Sequence, residues 1–169
     1  HSLDVPVMRP DYLASDTATS LDMWQHIWLE SEKYYGKTFD ISILIEPTSP
    51  LRLIEDIQRA VDAVLEGYPA AVTVSKTPAH FTPHKTLQIN SGGEIEYYLG
   101  ASGKHFHNRQ SIPSYYHRNG ACYAVTRRHL LDEGKIIENA KAIIIDRHLV
   151  NIDDQIELDF ANFMLSKNC

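Results

Sequence analysis

The sequence has 169 residues, 43% hydrophobic and 22% charged, with 8 glycines and 8 prolines. That is enough for one domain with a buried core, and it excludes collagen-like, disordered and disulfide-scaffold chains. Asp and Glu outnumber Lys and Arg by 22 to 16, a net charge of −6, which argues against a nucleic-acid polymer as partner but leaves room for a small anion at a local cationic cluster.

The chain opens on His1 and shows little periodicity over its first ten residues. Leu21, Trp24, Ile27, Trp28 and Tyr35 then recur at helical spacing. They predict a helix that Thr19 or Ser20 caps and Gly36 closes. Ile41–Ile45 reads as a short β-branched strand, buried on both faces of a parallel sheet. The turn Glu46-Pro47-Thr48-Ser49-Pro50-Leu51-Arg52 ends it. A second helix is expected from about Leu53 to Leu65, with Ile54, Ile57, Val61, Val64 and Leu65 as its apolar stripe. Ala70–Val74 reads as another buried strand. This alternation predicts an α/β architecture around an open, mostly parallel sheet. Ligands in such sheets sit outside the carboxyl ends of strands, so the loops after Ile45 and Val74 border the expected site.

The middle of the chain differs. Thr77–His84 is a loop, and Thr86–Ile89 with Glu94–Leu99 reads as a hairpin around Asn90-Ser91-Gly92-Gly93. Gly100–Tyr116 is polar and irregular. Ala121–Val125 is a strand, Arg127–Leu131 a short helix, and Ala142–Ile145 a further strand. The last helix is expected from about Asp154 to Leu165, with Ile156, Phe160, Phe163 and Met164 inward and Asp154 with Glu157 as a capping box. Cys122 and Cys169 read as free thiols of a reducing compartment. No apolar stretch is long enough to span a bilayer and no signal peptide opens the chain. The expected setting is the cytoplasm, without membrane association.

Four places carry chemistry. The Glu46–Arg52 turn offers two hydroxyls, an acid and a cation at a strand end; equally, it is a rigid turn with a capping hydroxyl. Asn151-Ile152-Asp153-Asp154 can hold a hard cation such as Mg²⁺ through oxygen, or simply cap the helix that follows. The run His84-Lys85, Arg109 and Tyr115–Tyr123 is the third: Lys85 and Arg109 flank the irregular middle and are suited to an acidic ligand, while any one of these taken singly reads as a solvated face. His80, His84, His105, His107 and His117 lack the spacing of a zinc site. Neither a glycine-rich phosphate turn nor a GxSxG elbow occurs.

Taken together, MRPDYLASDTATSLD, EPTSPLR, PHK, NRQSIP, RNGACY and NIDD…LDFA stand in an order and spacing that resembles the CMP-N-acetylneuraminate synthetases (acylneuraminate cytidylyltransferases). The resemblance runs from Arg9 to Leu165. It implies a Rossmann-like three-layer nucleotidyltransferase core across residues 1–169, with a small β-rich dimerisation extension over 86–116 and hence a homodimer. It implies a reaction of CTP with an acidic nine-carbon sugar to give CMP-sugar and pyrophosphate, helped by Mg²⁺. On this resemblance Arg9, Ala18 and Ser20 line the nucleotide pocket. Glu46, Lys85, Arg109, Asn119 and Tyr123 contact the sugar. Asp153 and Lys85 are catalytic, and Asp153, Asn151 and Asp154 hold the metal.

The sequence departs from the family pattern in three ways. The strand and Ala-Arg-x-Gly-Ser-Lys loop with which the family opens have no counterpart, as though about two βα units were missing ahead of His1. Glu46 replaces the family's Gln, and Asn151 replaces the first Asp of its metal pair. Two other readings therefore stay open: an inactive domain that binds a sugar or a partner, and a sugar nucleotidyltransferase for another base.

Overall fold

The computed structural model describes residues 4–15, 17–100 and 112–167. Helix α1 (Ser20–Tyr35) begins where the Thr19 hydroxyl accepts the Asp22 N–H at 3.1 Å and Asp22 answers in a capping box. It ends at Gly36, which takes the left-handed conformation at φ 62°. Strand β1 (Ile41–Leu44), helix α2 (Ile54–Leu65) and strand β2 (Ala70–Lys76) follow. Strands β3 (Leu87–Ile89) and β4 (Ile95–Tyr97) form the expected hairpin as a separate two-stranded sheet. Strand β5 (Tyr116–Thr126), strand β6 (Lys141–Ile144) and helix α3 (Gln155–Lys167) complete the order. Where a short helix was expected at Arg127–Leu131, residues Arg128–Asp132 form a π-helical turn.

The main sheet has the order β1-β5-β2-β6. Strand β2 pairs parallel with β6, but β5 lies antiparallel between β1 and β2. The sheet is therefore mixed, where α-β-α-β alternation predicted a mostly parallel one. Strand β5 starts at the end of the sheet where β2 stops, Tyr116 opposite Lys76, and runs back alongside it. Strand β1 is consequently an edge, and Ile43 and Ile45 are 41% and 45% exposed rather than buried on both faces.

Alternate residues of the central strands supply two cores. On one face Ala70, Val72, Tyr123 and Val125 pack with Trp24 and Trp28 of α1. On the other, Ala71, Cys122 and Ala124 meet Ala60, Ala63 and Val64 of α2. Helix, sheet and helix make the three layers of a Rossmann-like α/β fold. The expected stripe of α2 holds at Ile57 and Val64 and fails at its ends: Ala60 and Ala63 join the buried face, while Ile54 and Leu65 are 71% and 70% exposed. Small side chains let the helix backbone sit close to the sheet, and the larger ones fall outside that contact. Helix α3 also differs. Only Ala161 is buried, and Ile156, Phe160 and Phe163 face outward because α1 and α2 already cover the sheet. No helix among the described residues is long and apolar enough to cross a membrane.

Candidate functional site

The carboxyl ends of β1, β2 and β6 and the start of α1 lie at one end of the sheet, where β5 carries an irregularity. Val72 pairs with Tyr123 and Val74 with Arg118, so Thr73 alone stands opposite Asn119, Gly120, Ala121 and Cys122. A bulge of that size strands main-chain polar groups, which must find partners. Thr73 Oγ1 accepts the Cys122 N–H at 2.9 Å and donates to the Cys122 carbonyl at 3.0 Å. Asn119 Oδ1 accepts the Ala121 N–H at 3.2 Å, and Asn119 Nδ2 donates to Ser75 Oγ at 3.0 Å.

The Glu46–Arg52 turn closes over the same bulge. The Gly120 carbonyl accepts the Glu46 N–H at 3.2 Å. Ser49, 1% exposed, donates from its hydroxyl to the Asn119 carbonyl at 2.7 Å and also lies 3.2 Å from Asn151 Oδ1. Arg52 Nε donates to the Ala121 carbonyl at 3.1 Å, and its terminal nitrogen donates to the Glu46 carbonyl. Neither Ser49 nor Arg52 is thus a free surface group; both hold the turn to β5. Gly120 sits at φ 69°, and a Cβ there would overlap Glu46 Oε2 and stand 2.6 Å from Ser49 Oγ.

This framework borders a cavity of about 290 Å³ lined by Ser20, Glu46, Arg118, Asn119, Gly120, Tyr123 and Asn151. Nearly every group facing it is polar. Burial and the nearby Glu46 carboxylate push the Tyr123 phenol up, against a smaller downward pull from Arg118, so the hydroxyl keeps its proton at neutral pH and can donate. Burial likewise pushes the Cys122 thiol up to about 11. That suits a core residue, not a nucleophile.

Of the residues singled out in the sequence, Ser20, Glu46, Asn119, Tyr123 and Asn151 meet at this cavity. Asp153 stands beside it, with its carboxylate 3.4 Å from the Asn151 amide nitrogen. Asp154 Oδ1 accepts the Glu157 N–H at 2.9 Å and caps α3, while Glu157 accepts the Asp153 and Asp154 N–H groups. Lys85, Arg9 and Ala18 do not line this cavity, and Lys85 and Arg9 are exposed. Arg109 and Cys169 lie outside the described residues. Among the described residues no cluster of three or more His, Cys, Asp or Glu side chains forms a metal site.

Arg118 and Gly120 stand inside the Tyr115–Tyr123 run, where a glycine in a strand pattern often marks a bulge, though the sequence gives neither a role of its own. Arg147 escaped the sequence reading. It donates to Asp56 Oδ1 at 2.8 Å and to the Leu51 carbonyl at 3.1 Å, tying the loop after β6 to the start of α2. Burial pushes the Asp56 carboxyl up, but the Arg147 guanidinium and the Leu53 N–H outweigh it and hold the group below the usual carboxylate range.

No protein-family model matches the chain. Over 161 residues it is 26% identical to "Post-translational flagellin modification protein B" of Campylobacter coli, covering 94% of this chain and 67% of that protein. Over 163 residues it is 24% identical to "CMP-N,N'-diacetyllegionaminic acid synthase" of Legionella pneumophila, covering 95% and 68%. The chain is a distant relative of both. It spans about two thirds of their length.

Proposed function

We propose that this chain carries the sugar side of a cytidylyltransferase that joins CTP to a sialic-acid-like nonulosonic acid. The sugar's anomeric hydroxyl attacks the α-phosphorus of CTP, a new P–O bond forms, the bond to the β-phosphate oxygen breaks, and pyrophosphate departs with loss of the hydroxyl proton. One observation carries this reading. Ser20, Glu46, Asn119, Tyr123 and Asn151, far apart in sequence, border a single polar cavity at the carboxyl ends of strands. The name of the Legionella relative supports it from outside the structure.

In this reading the cavity holds the sugar. Asn119 is buried and fixed by Ser75, while the protonated Tyr123 hydroxyl stands beside the Glu46 carboxylate and orients it in the cavity. Glu46 accepts hydrogen bonds where the family has Gln, which favours a sugar presenting a donor at that point, such as a second acylamino N–H. Lys85 and Arg109 contribute from the segments around the hairpin, and Arg9, Ala18 and Ser20 form the cytidine side. Asp153 offers a carboxylate oxygen beside the Asn151 side chain, whose own Oδ1 accepts from Ser49, and Mg²⁺ usually takes one or two protein oxygens together with substrate phosphates. Bound there, Mg²⁺ would stabilise charge growing on the phosphate oxygens.

The exposed face of the β3–β4 hairpin is the proposed dimer contact. Leu87 pairs with Tyr97 and Ile89 with Ile95, so four apolar side chains share one side.

The deciding experiment is pyrophosphate release by the full-length protein, given Mg²⁺, CTP and either N-acetylneuraminate or a diacylated nonulosonic acid. Release that requires CTP and is faster with the diacylated sugar is expected. Equal rates with UTP, or no release with any nonulosonic acid, would overturn the assignment.

A further inference from the structure

A second cavity, of about 380 Å³, adjoins the first and shares Arg118, Asn119 and Asn151 with it. Its charge is different. Lys76, Arg118, Arg147, His117 and His148 line it against one acid, Asp146. Arg147 is committed to Asp56 and the Leu51 carbonyl, and His117 Nδ1 pairs with Thr77 Oγ1 at 3.1 Å. Arg118 has no hydrogen bond or ion pair among the described residues and stands exposed on β5 where the two cavities meet. On the other side of that junction, Glu46 places a carboxylate in the first cavity.

A ligand with an acidic group can lie across both cavities in only one direction. An anion beside Glu46 meets a like charge in a confined site, whereas an anion beyond Arg118 meets an unengaged guanidinium with Lys76 nearby. We propose that Arg118 is a specificity-determining residue that anchors the acidic group of the substrate in the second cavity, leaving the hydrogen-bond donors of the substrate to Glu46. This deepens the nonulosonic-acid reading and rests on it for the identity of the ligand, but the anion subsite follows from the cavities themselves. It assigns the anchoring cation to a residue that lines the site, where Lys85 does not.

The test compares Arg118→Gln and Arg118→Lys with the unmodified full-length protein. Calorimetry measures binding of N-acetylneuraminate and of its C1 methyl ester, and inorganic phosphate is titrated while the Asn119 side-chain amide is followed by NMR. The unmodified protein should favour the acid over the ester by about tenfold or more, the range of one charge-assisted hydrogen bond. Arg118→Gln should bring that ratio close to unity without weakening the ester, and Arg118→Lys should restore part of it. An acid-to-ester ratio that survives Arg118→Gln overturns the proposal. If neither sugar binds but phosphate shifts Asn119 in an Arg118-dependent way, the anion subsite stands and the nonulosonic-acid reading falls. If phosphate also leaves Asn119 unmoved, the subsite itself is refuted.

Discussion

At the scale of single residues, the site depends on side chains that satisfy main-chain groups as much as on those that face the cavity. Gly120 is the sharpest case. Its φ of 69° and the proximity of Glu46 and Ser49 leave no room for a Cβ. Gly120→Ala should cost about 1–3 kcal/mol for the left-handed backbone alone, with more from displacement of the turn, measured as a lower midpoint in urea unfolding. Neighbouring acids ahead of α3 should separate by role. Asp154 caps the helix, so Asp154→Ala should cost about 1 kcal/mol of stability with turnover largely kept. On the proposed reading Asp153 is the principal metal ligand, and Asp153→Asn should lower pyrophosphate release by orders of magnitude at saturating Mg²⁺ while barely moving Tm. Asp153→Asn that keeps its rate but melts early would make this residue structural and remove it from the metal site. The resemblance singled out five of the cavity's residues in advance, because they stand inside recognisable strings. What Ser49 and Arg147 hold was not legible in the same way. Their partners, Asn119 and Asp56, are brought to them only by folding.

At the scale of elements, α1 is locked to the far end of β5 by one carboxylate. Arg127 donates to Glu32 through Nε at 3.0 Å and through its terminal nitrogen at 3.1 Å, while the Phe39 N–H and the Trp28 indole also donate to Glu32 Oε1. The Arg127 hydrogen bonds, then the Phe39 N–H, hold the Glu32 carboxyl at about 2 against a smaller upward push from burial. A group depressed in the folded state stabilises the fold above its unfolded pKa and loses that contribution as pH falls through the folded value. Glu32 should therefore contribute fully above about pH 4.5 and progressively less toward pH 2. Glu32→Gln should be less stable than the parent at pH 7, with the gap narrowing over that window, as read from thermal melts by circular dichroism at a series of pH values. A gap independent of pH would show that packing, not charge, makes the difference. The helices and most strands were visible as hydrophobic periodicity, since period 3.6 and β-branched runs are local properties. The side of α2 that faces the sheet was visible at Ile57 and Val64 but not at Ala60 and Ala63, because an alanine scores as weakly apolar yet permits the closest approach.

At the scale of the whole molecule, large apolar side chains stand uncovered on the hairpin and on α3, among other places. The β3–β4 hairpin shows Ile89 and Ile95 at 75% and 69% exposure, and α3 shows Ile156 at 76%. Contiguous exposed apolar surface commonly marks an interaction site. Assigned to a dimer contact, the hairpin makes a clear expectation: light scattering should give a dimer for the full-length protein and a monomer for the double variant Ile89→Glu, Ile95→Lys, with the sheet core intact by circular dichroism. A dimer that persists in the double variant would move the contact elsewhere. By itself the sequence determined what depends on near neighbours along the chain: the helix bounded by Thr19 and Gly36, the Asn90–Gly93 hairpin, the cap at Asp154 and the strings that suggested a sugar site. Only the tertiary structure decided that β5 runs antiparallel between β1 and β2, that its bulge is sealed by Thr73, Ser49 and Arg52, and that Arg118 stands where a polar and a cationic cavity join. Strand direction and bulge closure depend on hydrogen bonds between residues scores of positions apart, and a local pattern carries no record of which distant partner will complete it.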